Sequence, residues 1–315
     1  AAGAAFAGLP AEEAREKLGI KLLVRHVHEL FPEATHSDIG LVAVLFPEQP
    51  AHHFRFLERI GGDHVRVEVL VGEGQSPHTY EPTPRQMAKL AEAKAWFLIG
   101  VPFERGLVKK IKQFHRSLVI VETQKGVPYR YPAGRDHRND GHGHGTDQGV
   151  KGAGTPDPHI WMSPKLVKIQ AQNIHDALCL LDPAHKQQYA INLKSFQEDL
   201  DGLDARIAHS LAPLKGKKMY VFHPAFGYFA DSYGMIQVPI EIEGKEPGAR
   251  QMTELIERAK KDGVKVIFVQ QQFSKKSADV VAKSIGGTVV PINPLSKEYL
   301  TNLEKMAAAV EQGLR

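Results

Sequence analysis

Three of the sixteen histidines in this sequence stand where a metal could be held: His78 in "GEGQSPHTYEPTP", His159 in "DPHIWMSP" and His223 in "FHPAFGYFA". Each has a proline beside it, Pro77 before His78, Pro158 before His159 and Pro224 after His223. Proline narrows the backbone's freedom, so a side chain next to it loses less entropy when a ligand fixes it. Neutral imidazole suits zinc, which takes nitrogen and oxygen donors in tetrahedral sites at about 2.0–2.1 Å from histidine nitrogen. Three imidazoles leave a fourth position. The sequence offers Asn293 in "INPL", Gln270 and Gln271 in "VQQQF", Glu81, a loop histidine or water for it.

A second group lies in "HRNDGHGHG", where His142 and His144 alternate with glycine beside Asp136, His137 and Asp140. Such short histidine-rich tracts bind metal weakly, so His142 and His144 are read as an accessory loop that feeds His159. The single cysteine, Cys179, sits among Ala177, Leu178, Leu180 and Leu181, which excludes a disulfide within the chain and a thiolate cluster. Any metal is therefore held by nitrogen and oxygen.

The elements that must position these residues follow from the apolar pattern. Short β-rich runs at 41–46, 65–71, 96–101 and 118–121 are interleaved with helix-compatible stretches at 84–94 and 104–114. The pattern stops near 126, where over thirty residues rich in glycine, proline and histidine form a loop too long to be a mere connection. Residues 164–211 then read as helix with a break at Pro183, and Ser163 and Pro164 look like the capping pair that opens it. Alternation resumes with strands at 219–222, 236–240, 264–269 and 288–292 and helices at 249–261, 274–284 and 296–312. An amphipathic helix is expected over 11–31.

Strands alternating with helices imply an α/β fold with parallel sheets. The expectation is two lobes, each with a roughly four-stranded parallel sheet flanked by helices, joined by one long rigid helix. The boundaries read as an N-terminal extension of unknown role at 1–40, an N-terminal lobe at 41–182 that includes the histidine-rich loop 126–158, a linking helix at 183–213 and a C-terminal lobe at 214–315. Ligands of open parallel sheets bind beyond the carboxyl ends of the strands, where His223 directly follows "MYVF". His26, His28, His36, His52, His53, His64 and His115 have no convergent placement, and His175, His185 and His209 read as surface residues of the helical tract.

Bulk composition narrows the partners. The 315 residues are 42% hydrophobic and 24% charged, as in soluble globular proteins. The formal charge of +4 arises from 40 basic and 36 acidic residues spread along the chain, without the concentrated basic field that nucleic acid requires. No run of about 18 apolar residues exists, and the start "AAGAAFAGLP" lacks a basic n-region, so the chain reads as mature, truncated or cytosolic.

Four segments together resemble the metal-specific solute-binding proteins of ABC importers, the zinc and manganese cluster A-I with a rigid helix between lobes. They are residues 56–100, 157–178, 222–234 and 289–306, which contain all three proline-flanked histidines. The resemblance implies that His78, His159 and His223 are the metal ligands. Histidine at the third position, where manganese members tend to carry glutamate, together with the histidine-rich loop, implies Zn2+ as the transported ligand. This chain has Asn293 where the family usually has aspartate and Gln270 where it commonly has glutamate, which removes charge that hard cations favour.

The function so implied is not enzymatic. It is high-affinity zinc capture by a monomer in the periplasm, or otherwise outside the cytoplasm, and delivery to an ABC permease in the inner membrane. The lack of a lipid-accepting N-terminal cysteine favours a free form over a lipoprotein. Two other readings use the same residues: a hydrolase with three histidines and a zinc-bound water, and a metal-dependent adhesin.

Overall fold

The computed structural model describes residues 41–45, 52–69, 82–115, 117–131, 156–241, 246–270, 273, 276–296 and 298–315. The helix expected over 11–31 lies outside them. All eight expected strands are present. In the first lobe these are β1 (Leu41–Leu45), β2 (Val65–Val69), β3 (Ala95–Leu98) and β4 (Val119–Glu122), in the parallel order β2-β1-β3-β4. In the second, β5 (Lys218–Val221), β6 (Ile236–Pro239), β7 (Val266–Gln270) and β8 (Thr288–Ile292) repeat that arrangement as β6-β5-β7-β8. The central strands β3 and β7 are buried along their whole length, whereas the prolines Pro239 and Pro291 fall on the edge strands β6 and β8, where a missing N–H costs no ladder bond.

Nine helices flank the sheets among the described residues: α1 (His52–Gly61), α2 (Pro84–Glu92), α3 (Pro102–Phe114), α4 (Pro164–Leu181), α5 (Lys186–Leu211), α6 (Gly227–Ser232), α7 (Ala249–Lys261), α8 (Lys276–Ser284) and α9 (Tyr299–Leu314). Two of them carry no signal that the sequence reading used. The buried set of α1 is Phe56, Leu57 and Ile60 behind a polar start, and α6 has only six residues, too few for a helical period to register. Ser163 does precede α4, with Pro164 at its first position, but its hydroxyl makes no cap bond and pairs with the Ser232 hydroxyl at 2.9 Å instead.

The 26 residues of α5 span about 39 Å at 1.5 Å each. Its buried residues Tyr189, Leu193, Phe196, Leu200, Leu203, Ile207 and Leu211 recur every three or four positions, which makes one continuous apolar stripe. That stripe packs against α1 and α4 and also against α9, which follows the last strand of the second sheet. Ion pairs from Arg59 to Asp199, Lys168 to Asp201 and Arg206 to Glu304 run along its polar margins. This one helix is thus a spine shared by helices of both lobes.

Candidate metal centre

The carboxyl ends of the second sheet's strands converge on His223. It lies two residues beyond β5, between β6 and β7, where the sheet order reverses, the position at which open parallel sheets generally bind ligands in a crevice. Glu241, two residues beyond β6, meets His223 Nδ1 with its Oε1 at 2.6 Å. Gln270, the last residue of β7, takes the His223 backbone as a paired contact: its Oε1 accepts from the His223 N–H at 3.1 Å, and its Nε2 donates to the His223 carbonyl at 2.8 Å. Phe273 lies flat against the imidazole, with centroids 4.8 Å apart and planes 19° apart. Gln270, weighed from the sequence as an oxygen donor for metal, is thus engaged with the histidine's backbone.

His159 is set by a different device. Ile160, Trp161 and Met162 form a buried 3-10 turn that anchors the end of the long loop in the core. Just before it, Asp157 folds back: its Oδ1 accepts from the His159 backbone N–H at 3.0 Å and meets His159 Nδ1 at 2.6 Å. Burial pushes the Asp157 carboxyl up, but the charge and hydrogen bonds of His159, aided by Arg130, outweigh it and hold the carboxyl below its ordinary range. The indole of Trp161 meets the imidazole edge to face at 5.3 Å.

The fold brings these two rings together, with centroids 5.3 Å apart and planes 77° apart. Both residues are buried, at 5% and 7% exposure, so neither is a solvated loop histidine. A carboxylate on Nδ1 fixes the tautomer and aims Nε2 as the donor nitrogen, the arrangement that supports metal-binding histidines. Neither carboxylate is among the donors that the sequence offers as candidates. Asp157 was visible in "DPH", where a carboxylate two residues before a histidine can fold back on it; Glu241 had no local signal.

The other expected donors are placed unequally. Asn293 follows β8, at the same carboxyl edge of the sheet as His223; its Oδ1 accepts from the Leu295 N–H at 2.9 Å, and its carbonyl accepts from Asn302 Nδ2 at 2.7 Å. His78, Glu81, His142 and His144 lie outside the described residues, and among those described no set of three or more His, Cys, Asp and Glu side chains forms a metal shell. His64 and His185 are not lone surface residues. They stack at 3.7 Å near the turn between α4 and α5, and His185 Nδ1 meets Asp182 Oδ2 at 2.6 Å.

A sequence profile of ZnuA, the periplasmic component A of the zinc-uptake complex, matches residues 54–313. The chain belongs to this family. It is 30% identical over 245 residues to the high-affinity zinc uptake system protein ZnuA of Bacillus subtilis, covering 77% of this chain and 75% of that protein. It is 28% identical over 317 residues to the zinc-binding lipoprotein AdcA of Streptococcus pneumoniae, covering 93% of this chain but only 60% of AdcA's length. A crystal structure of a ZnuA deletion mutant with zinc bound superposes with a TM-score of 0.77 at 37% identity, covering 88% of this chain and 98% of that one. The two-lobed architecture built on a long helix is therefore that of the zinc-uptake family.

Proposed function

We propose that the chain captures Zn2+ outside the cytoplasm and, as a monomer, hands it to an ABC permease in the inner membrane. The observation that carries this reading is the pair of buried imidazoles, His159 and His223, each backed by a carboxylate at 2.6 Å, in a member of the zinc-uptake family. His78 is the third ligand in this reading, Asn293, Glu81 or water completes the shell, and His142 and His144 serve as accessory donors on the loop. Nitrogen donors, with the carboxylates turned to the imidazoles, favour zinc over a harder ion such as manganese. Asp157 and Glu241 are both committed to imidazole Nδ1, which speaks against the hydrolase, since neither is placed to take a proton from a metal-bound water.

The spine α5 favours release through local movement at the crevice instead of wide separation of the lobes. Calorimetric titration of metal-free protein with Zn2+ and Mn2+, beside His159→Ala and a variant lacking residues 136–146, tests the reading. Tight 1:1 zinc binding, lost in His159→Ala and kept without the loop segment, is expected. Parent-like zinc binding by His159→Ala would sink it.

A further inference from the structure

Asp157 has a second oxygen, and what holds it reaches across to the other lobe. The guanidinium of Arg130, which follows β4, places Nη1 3.3 Å from Asp157 Oδ2 and Nε 2.8 Å from Asp231 Oδ2 on α6. The backbone joins in: the Asp157 N–H donates to the Arg130 carbonyl at 2.8 Å, the Arg130 N–H donates to the Tyr228 hydroxyl at 2.9 Å, and that hydroxyl donates to the Asp157 carbonyl at 2.9 Å. Burial raises the Tyr228 phenol to about 12, so it keeps the proton it donates.

The start of α6 fits around this cluster. A Cβ on Gly227 would clash with Arg130 Nη1 and stand 2.7 Å from Asp157 Oδ2, so a side chain there would have to push the guanidinium or the carboxylate aside. Asp157 is 3% exposed and Arg130 19%, a buried carboxylate met by a largely buried guanidinium. With Oδ1 bonded to His159 and Oδ2 met by Arg130, both carboxylate oxygens are engaged, which narrows the orientations open to the imidazole that Asp157 holds.

We propose that Arg130 is a positioning residue of the metal centre: it grips Asp157 and Asp231 together, and so holds His159 in its ligating orientation against the second lobe. The proposal rests on the zinc-site reading above. Loss of the grip lets the ring swing and speeds metal loss without removing a ligand.

The test compares the parent, Arg130→Met, Asp157→Asn and the double variant by chelator competition for Zn2+, with the visible absorption of bound Co2+ as a report on ligand geometry. Each single change is expected to weaken zinc about 10–100-fold and shift the cobalt bands, with the double variant no weaker than Asp157→Asn alone. Zinc affinity in Arg130→Met within twofold of the parent, or a loss that adds in full to that of Asp157→Asn, overturns the proposal. Should metal-free Arg130→Met not fold, Arg130→Lys takes its place, with a smaller loss, the same non-additivity and the same overturning outcomes. His159→Ala separates the two readings: if it loses zinc while Arg130→Met binds like the parent, only the role of Arg130 fails. If His159→Ala binds like the parent, the site fails and the role of Arg130 with it.

Discussion

His159 and His223 face one another with centroids 5.3 Å apart and planes 77° apart, although 64 positions of sequence numbering separate them. Two nitrogens bound at 2.0–2.1 Å in a tetrahedral zinc site lie roughly 3.3 Å apart, so rings this close can share one ion after small rotations. Their Nδ1 partners, Asp157 and Glu241, fix which nitrogen does so.

Glu241→Gln is expected to weaken zinc about 10–100-fold while leaving the melting temperature of metal-free protein near the parent's. A neutral amide oxygen still accepts from Nδ1 but adds less electron density to the ring. Chelator competition measures the loss; parent-like affinity would assign the orientation of His223 to Phe273 and Gln270 alone.

Gln270→Glu tests the paired contact that holds the His223 backbone. The amide donates to the His223 carbonyl and accepts from its N–H, and a carboxylate can only accept. The buried carbonyl would then face an oxygen, for a loss of about 1–3 kcal/mol in unfolding free energy. Denaturant melts read this directly, and an unchanged midpoint would show that the clamp reforms around the acid.

Zinc affinity is expected to fall as pH drops through the imidazole range, by about tenfold per pH unit for each ligand that must shed a proton. Competition titrations between pH 7.5 and 5.5 give the slope. A flat profile would exclude histidine ligation.

Acid stability has a separate source in Asp182. Burial pushes its carboxyl up, but hydrogen bonds from Tyr189 and His185 and the charges of His185 and His64 outweigh it and hold it below the ordinary range. A depressed folded value stabilises the protein above the unfolded value of about 3.9, and that contribution is lost as pH falls through the folded value. Asp182→Asn should therefore flatten the acid limb of the stability curve below about pH 5 while costing stability at pH 7. An acid limb as steep as the parent's would place the effect elsewhere.

Much of the fold was legible because it is local. Runs such as "VKVIFV" and "TVVPI" announce buried strands by composition, and the residues between them carry helical spacing, so the α/β class and strand order along the chain follow from pattern alone. Helix α1 escaped because its polar start hides a short buried set, and α6 because one and a half turns carry no period. Gln270 read as a metal donor because its position at a strand end suits one; the paired bonds to His223 exist only once β7 lies beside β5.

The sequence by itself determined that His159 and His223 stand in proline-stiffened segments, one at a strand's carboxyl end and one just ahead of a helix that opens at Pro164, since those are properties of neighbouring residues. Tertiary structure decided what makes them a centre. Glu241 reaches His223 across 18 positions, Gln270 across 47, and Arg130 joins Asp231 across 101. These partners meet because parallel sheets place strands side by side in the order β6-β5-β7-β8, which is not their order along the chain, and because the apolar stripe of α5 packs against helices of both lobes.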